Sequence, residues 1–180
     1  MILEKLSDWP SPKMTRLMLI ISLIILLIVY PFMGYFFFVS NYSLNILESQ
    51  LSFNAALLRT AYTAMNTDQL NFYRAAETFD YGFMVSYSML IISLALIIAR
   101  KFDDPSIWRK SGYFIVPLGI VTACLDAIEN AFILSMTANP ASFPDIWAIS
   151  HSSFALIKWI LLFIAIGWAI AACIIRLIKK

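Results

Sequence analysis

Residues 111–136 read SGYFIVPLGIVTACLDAIENAFILSM. About 20 mainly apolar residues cross a bilayer core as a helix, and this stretch is long enough to do so. Asp126, Glu129 and Asn130 nevertheless sit within it. Ionisable groups at membrane depth are costly, and they mark a pathway, a ligand site or an ion pair facing the bundle interior. A later stretch, residues 146–176, carries Lys158 at a comparable depth.

Composition agrees with that reading. The chain has 180 residues, 61% hydrophobic and 13% charged, against roughly a quarter charged in a soluble domain. Mean hydropathy is +0.81. Four segments qualify as membrane spans, at about 15–39, 79–100, 111–136 and 146–176. Short connections between them predict one domain over residues 1–180, an all-α polytopic membrane protein built as a four-transmembrane-helix bundle. The first apolar run, of about 25 residues, exceeds the 7–15 of a signal-peptide core. It reads as a retained anchor.

The basic residues set an orientation. Of thirteen Lys and Arg, only Arg59, Arg74 and Lys158 lie away from one side of the bundle. Lys5, Lys13 and Arg16 precede the first span. Arg100, Lys101, Arg109 and Lys110 join the second to the third, and Arg176, Lys179 and Lys180 follow the fourth. The positive-inside rule then places both termini in the cytoplasm. The expected location is a bacterial inner membrane. The net charge of +2 reflects topology, and nothing in the chain indicates nucleic-acid binding.

Residues 40–78 form the longest connection, on the extracytoplasmic side. Leu44, Leu47, Leu51, Ala55, Leu58, Tyr62 and Met65 recur at three- and four-residue steps, which predicts an added amphipathic helical segment. It would lie on the bilayer surface or cap the mouth of the bundle. Asn66-Thr67-Asp68 reads as a stop followed by a fresh helix start, so the second membrane helix begins near Asp68. Pro31 is expected to kink the first helix, and Trp9 to sit at the interface. The loop RKFDDPSIWRK at 100–110 reads as a solvated turn starting at Asp104-Pro105. Cys124 and Cys173 differ in depth by more than a disulfide can bridge and are expected to be small packing residues.

Asp126, Glu129 and Asn130, at i, i+3 and i+4, share one helical face, continued by Ala123, Thr122 and Gly119. The last span shows a matching stripe of His151, Ala155, Lys158, Ala165, Ala169 and Ala172. Counted at 1.5 Å per residue, Asp126 and Lys158 both fall about 16–18 Å inside the membrane. Glu77, Asp80 and Tyr87 extend the set along the second span. The expectation is a single outward-facing polar pocket formed by Asp126, Glu129, Asn130, Lys158, His151, Asp80, Glu77 and Tyr87.

Two functional classes follow. In one, the pocket binds a small polar or amphipathic ligand or relays protons, as in a transporter, carrier or sensor. In the other, the chain is an intramembrane enzyme acting on lipid headgroups, with Glu129 or Asp126 as base and Lys158 stabilising negative charge. The structural alternative is a subunit of a membrane complex, or a homo-oligomer, in which the cluster is an ion pair that fixes helix packing. One lysine leaves a surplus acid on the third span, which favours a site. A metal set of Glu77, Asp80, Glu129 and His151 is weakly supported, because a single histidine falls short of the usual zinc ligation. Ser152 and Ser153 adjoin His151 but point in other directions on the helix, so a Ser-His-acid arrangement would need a serine from another helix, such as Ser86 or Ser88. No cofactor is implied, no catalytic residue can be assigned, and the partners expected are the bilayer and a lipid or amphiphile.

Overall fold

The computed structural model describes residues 5–178. Lys179 and Lys180, counted above in the last basic flank, lie outside the described residues. Among the described residues six helices make up the fold, and no strand occurs. They are α1 (Pro12–Ser40), α2 (Ile46–Gln50), α3 (Ala55–Thr63), α4 (Thr67–Ala99), α5 (Ile107–Ala138) and α6 (Asp145–Ile178). Four of them, α1, α4, α5 and α6, are long and apolar enough to cross a membrane. At 29 to 34 residues, each is roughly 44–51 Å long, so every span projects beyond a core about 30 Å thick.

Local chemistry fixes the helix ends. The Ser11 side chain accepts from the Met14 amide, and Pro12 starts α1, where its missing N–H costs nothing. The helix runs on through Pro31 and stops at Asn41, whose left-handed backbone (φ 51°) returns its N–H to the Phe38 carbonyl. Asn66 and Gln69 form a reciprocal capping box at the start of α4. That start matches the stop-and-restart reading of Asn66-Thr67-Asp68.

The connection between α1 and α4 departs from a single amphipathic helix. It consists of two short helices separated at residues 51–54, where Phe53 adopts φ 50° and Asn54 caps α3. A left-handed residue cannot continue a right-handed helix, so the periodic pattern is cut. Leu58, Tyr62 and Met65 keep the expected inward face, whereas Leu47 points outward and Ser49 inward. Of the expected stripe, Leu47 alone turns outward, while Leu44 packs against the core.

The membrane helices form a row. Helix α1 packs along α4, α4 along α5, and α5 along α6, with a lesser contact between α4 and α6. The two end members, α1 and α6, are not packed along one another. Helix α1 buries only Thr15, Ser22, Met33 and Ser40, and it turns Leu17, Ile20, Leu27 and Phe38 outward. Such an all-round apolar helix is solvated by lipid. Cys124 and Cys173 are free and exposed on the outer helix surface, not packed inside as their composition implied.

Each end of the row is tied by arginine. At one end Arg100 donates to the carbonyls of Leu6 (2.8 Å) and Pro10 (2.7 Å) and to Thr15 Oγ1 (3.1 Å). Arg176 donates to the Lys101 carbonyl there. At the other end Arg59 pairs with Asp145 and donates to the Phe143 carbonyl (2.6 Å), while Arg74 donates to the Thr137 carbonyl.

Close packing at the first of these ends depends on Gly112. A Cβ placed there would lie 2.6 Å from both Ala99 Cβ and the Trp168 ring. Gly167, by contrast, has nothing within 4 Å. Gly112→Ala is therefore expected to destabilise the protein by about 1–3 kcal/mol through overpacking. Gly167→Ala should be neutral or slightly stabilising. Thermal unfolding of the two purified variants checks both directions.

Candidate functional site

Three helices bring the polar residues together. On α5, Asp126, Glu129 and Asn130 are all buried, at 4%, 0% and 1% exposure. Their shared face is wide enough to split between two neighbours. Asn130 turns to α4, where its amide donates to Asp80 Oδ2 (2.7 Å) and to the Glu77 carbonyl (3.3 Å). Glu129 turns to α6, and Asp126 sits between. Tyr87 donates to Asp126 Oδ2 at 2.9 Å.

Lys158 is the hub. Its Nζ lies 2.7 Å from Asp126 Oδ1 and 2.5 Å from Glu129 Oε2. The matched depths inferred from residue counting are thus realised as direct contact. The expected choice between the two acids does not arise, because the lysine holds both. Small residues make room for it: Ala148, Ala155 and Ala165 on α6 are almost fully buried, which lets the backbones approach. Gly119, assigned above to the α5–α6 seam, instead faces Ile91 and Ile92 of α4.

His151 lies beyond Glu129, fully buried. Its Nε2 is 3.3 Å from the Ser49 carbonyl. A carbonyl can only accept, so that nitrogen carries the hydrogen. Its Nδ1 is 3.9 Å from Glu129 Oε1, and neither atom has a hydrogen-bond partner. The buried chain therefore runs Tyr87, Asp126, Lys158, Glu129, His151, Ser49. Ser86 and Ser88 are not part of it, and the serines beside His151 bond elsewhere: Ser152 accepts from the Phe53 amide (3.1 Å) and Ser153 donates to the Ile149 carbonyl (2.8 Å). No serine is positioned as a nucleophile on this histidine. The set Glu77, Asp80, Glu129 and His151 is not gathered either, since no three His, Cys, Asp or Glu among the described residues form a metal-ligating group.

A cavity of about 650 Å³ adjoins the cluster, within the range of small-molecule sites. Glu77, Asp80, Tyr87, Asp126 and Lys158 line it. Glu129, Asn130 and His151 do not, which corrects the expectation that all eight residues share one surface. They stand behind the wall and hold the lining groups in place. The physical reason is the split of the α5 face: only Asp126 looks between α4 and α6 into the space. Below the polar groups the walls become apolar, with Leu90, Leu94, Ile115, Leu162 and Ile166. Tyr30, Met33 and Phe37 of α1 form the opposite side.

The short helix α2 covers the polar end. Gln50 accepts from Trp159 Nε1 at 2.8 Å, and Tyr42 shares a hydrogen bond with Ser49 at 2.9 Å. Together with the Phe53–Ser152 and His151–Ser49 contacts, these bonds moor the connection to one face of α6. Burial pushes the Tyr42 phenol up to about 12 and the Tyr62 phenol well above its usual value, so both remain neutral hydroxyls at physiological pH. Sequence reasoning missed Tyr42, Tyr73, Ser49, Gln50 and Trp159. The two asparagines that cap α2 and α3, Asn45 and Asn54, were the available signal that the connection folds back.

No protein-family model, curated protein or solved structure matches this chain. Its reading rests on its own geometry.

Breaking a buried ion pair by removing one partner costs roughly 3–5 kcal/mol, because it strands the other charge. Lys158→Met strands two carboxylates and should lower stability by about that amount. Adding Asp126→Asn and Glu129→Gln to the same variant should recover more than half of the loss. Thermal unfolding of the single and triple variants in one detergent decides it.

Proposed function

We propose that this protein binds an amphipathic molecule taken from the bilayer, with the head at the Asp126–Lys158 end and the tail along the apolar wall. One observation carries this reading: the cavity is polar at one end, apolar at the other, and bordered by two helices, α1 and α6, that do not pack together. An opening between two membrane helices faces lipid, so a hydrophobic molecule can enter sideways without crossing water. From Lys158 to Ala169, the lining stretch of α6, the slot extends roughly 16 Å. That length suits an alkyl chain and leaves little use for an aqueous channel.

The same reading assigns sides. The basic end at Arg100 and Arg176 is cytoplasmic by the positive-inside rule, which puts the polar end of the cavity and its cover toward the extracytoplasmic face of an inner membrane. Carrier or sensor roles fit this arrangement better than headgroup chemistry. Lys158 is engaged by two carboxylates, His151 stands behind the wall, and no serine is placed as a nucleophile on that histidine.

The test uses the full chain in lipid nanodiscs with native mass spectrometry. An amphiphile should stay bound to the unmodified protein after the disc lipids are stripped. It should be lost from Leu162→Trp, which fills the apolar part without touching the ion pair. Retention should fall at least tenfold while circular dichroism stays unchanged. Equal occupancy in the two proteins would refute the reading.

A further inference from the structure

The cavity presents more acids than bases. Glu77, Asp80 and Asp126 line it with one amine, Lys158, while a fourth acid, Glu129, stands behind the wall. Lys158 is already engaged by Asp126 and Glu129. The other donors are committed as well: the Asn130 amide to Asp80 and the Glu77 carbonyl, the Tyr87 hydroxyl to Asp126 and the Trp159 indole to Gln50. Glu77 and Asp80 add acceptor oxygens to that end of the space.

Glu77 is the clearest case. It is 4% exposed, lines the cavity, and forms no ion pair among the described residues. Glu77 lies close to Tyr73. Aromatic rings flank it. Tyr73 and Tyr42 have centroids 4.5 Å apart, and Phe37 lies 5.7 Å from Tyr73. All three line the same space. A carboxylate beside several aromatic faces is the combination that recognises organic ammonium groups, because ring faces attract cations and the acid balances charge. An anionic head would instead meet the acidic side chains of Glu77, Asp80 and Asp126.

We infer that the amphiphile carries a positively charged nitrogen, held between Glu77 and the Phe37, Tyr42 and Tyr73 rings at the polar end, with its tail along the apolar wall toward Leu162. This rests on the binding proposed above and adds the sign and kind of the headgroup. The ammonium of a membrane aminolipid and that of a free long-chain amine share this chemistry.

Nanodisc-embedded full-length protein would be titrated with dodecyltrimethylammonium, dodecyl phosphate and dodecyl maltoside, with Trp fluorescence as the readout. Lysophosphatidylethanolamine in parallel separates a lipid source from a free amine. The cation should bind at least tenfold more tightly than the anion of equal chain length. Glu77→Gln should weaken the cation at least tenfold while changing the maltoside less than twofold. Tyr42→Leu serves as a second variant should Glu77→Gln fold poorly, and it should weaken trimethylammonium about fivefold. Binding that Leu162→Trp abolishes, but that shows no preference for the cation or survives Glu77→Gln, overturns this inference alone. Absence of binding by every probe, with Leu162→Trp without effect, overturns both this inference and the underlying proposal.

Discussion

The structure depends on the contact of Lys158 with Asp126 and Glu129. Three charged groups at membrane depth have no water to turn to, so each must find its counterpart in protein. That requirement fixes α6 against α5 in rotation and in depth at once. Asp126 also receives Tyr87, and Asn130 reaches Asp80, so the same few atoms set the position of α4. Apolar packing between membrane helices carries little preference of its own, because lipid is as apolar as leucine. Polar contacts therefore specify what dispersion alone leaves degenerate.

The row of helices follows from where such contacts are missing. Helix α1 has no charged residue beyond Arg16 and attaches to α4 through aromatic stacking, such as Phe36 on Phe79 with ring centroids 5.4 Å apart. Nothing polar draws it to α6, and the space between them stays open as the cavity. The chain then covers only the polar end of that space, through Ser49 to His151, Gln50 to Trp159 and Phe53 to Ser152. A site polar at its covered end and apolar below is what a molecule with a head and a tail requires.

The spans were legible because apolar runs of membrane length have few other uses. The contact of Asp126 with Lys158 was legible because helical rise converts residue counts into depth. The division of the polar residues was not. Asp126, Glu129 and Asn130 share a face by spacing, yet that face meets two neighbours, and helix order rather than periodicity decides which residue sees which. Asp126 therefore lines the cavity while Glu129 and Asn130 stand behind it. The connection misled for a different reason. Its apolar steps of three and four persist across residues 51–54, but the Asn54 cap and the left-handed Phe53 outweigh them. The tyrosines gave no warning, since Tyr42 and Tyr73 come from separate elements and meet only after the connection folds back.

A high-resolution density map of the full chain in lipid nanodiscs tests the central claim most directly. The account predicts α1 and α6 apart, with one elongated feature running from Glu77 and Lys158 down past Leu162 toward Trp168. A map showing α1 packed against α6, with the space closed by side chains and the Lys158 cluster sealed from it, would contradict the account and leave the cluster as a structural ion pair.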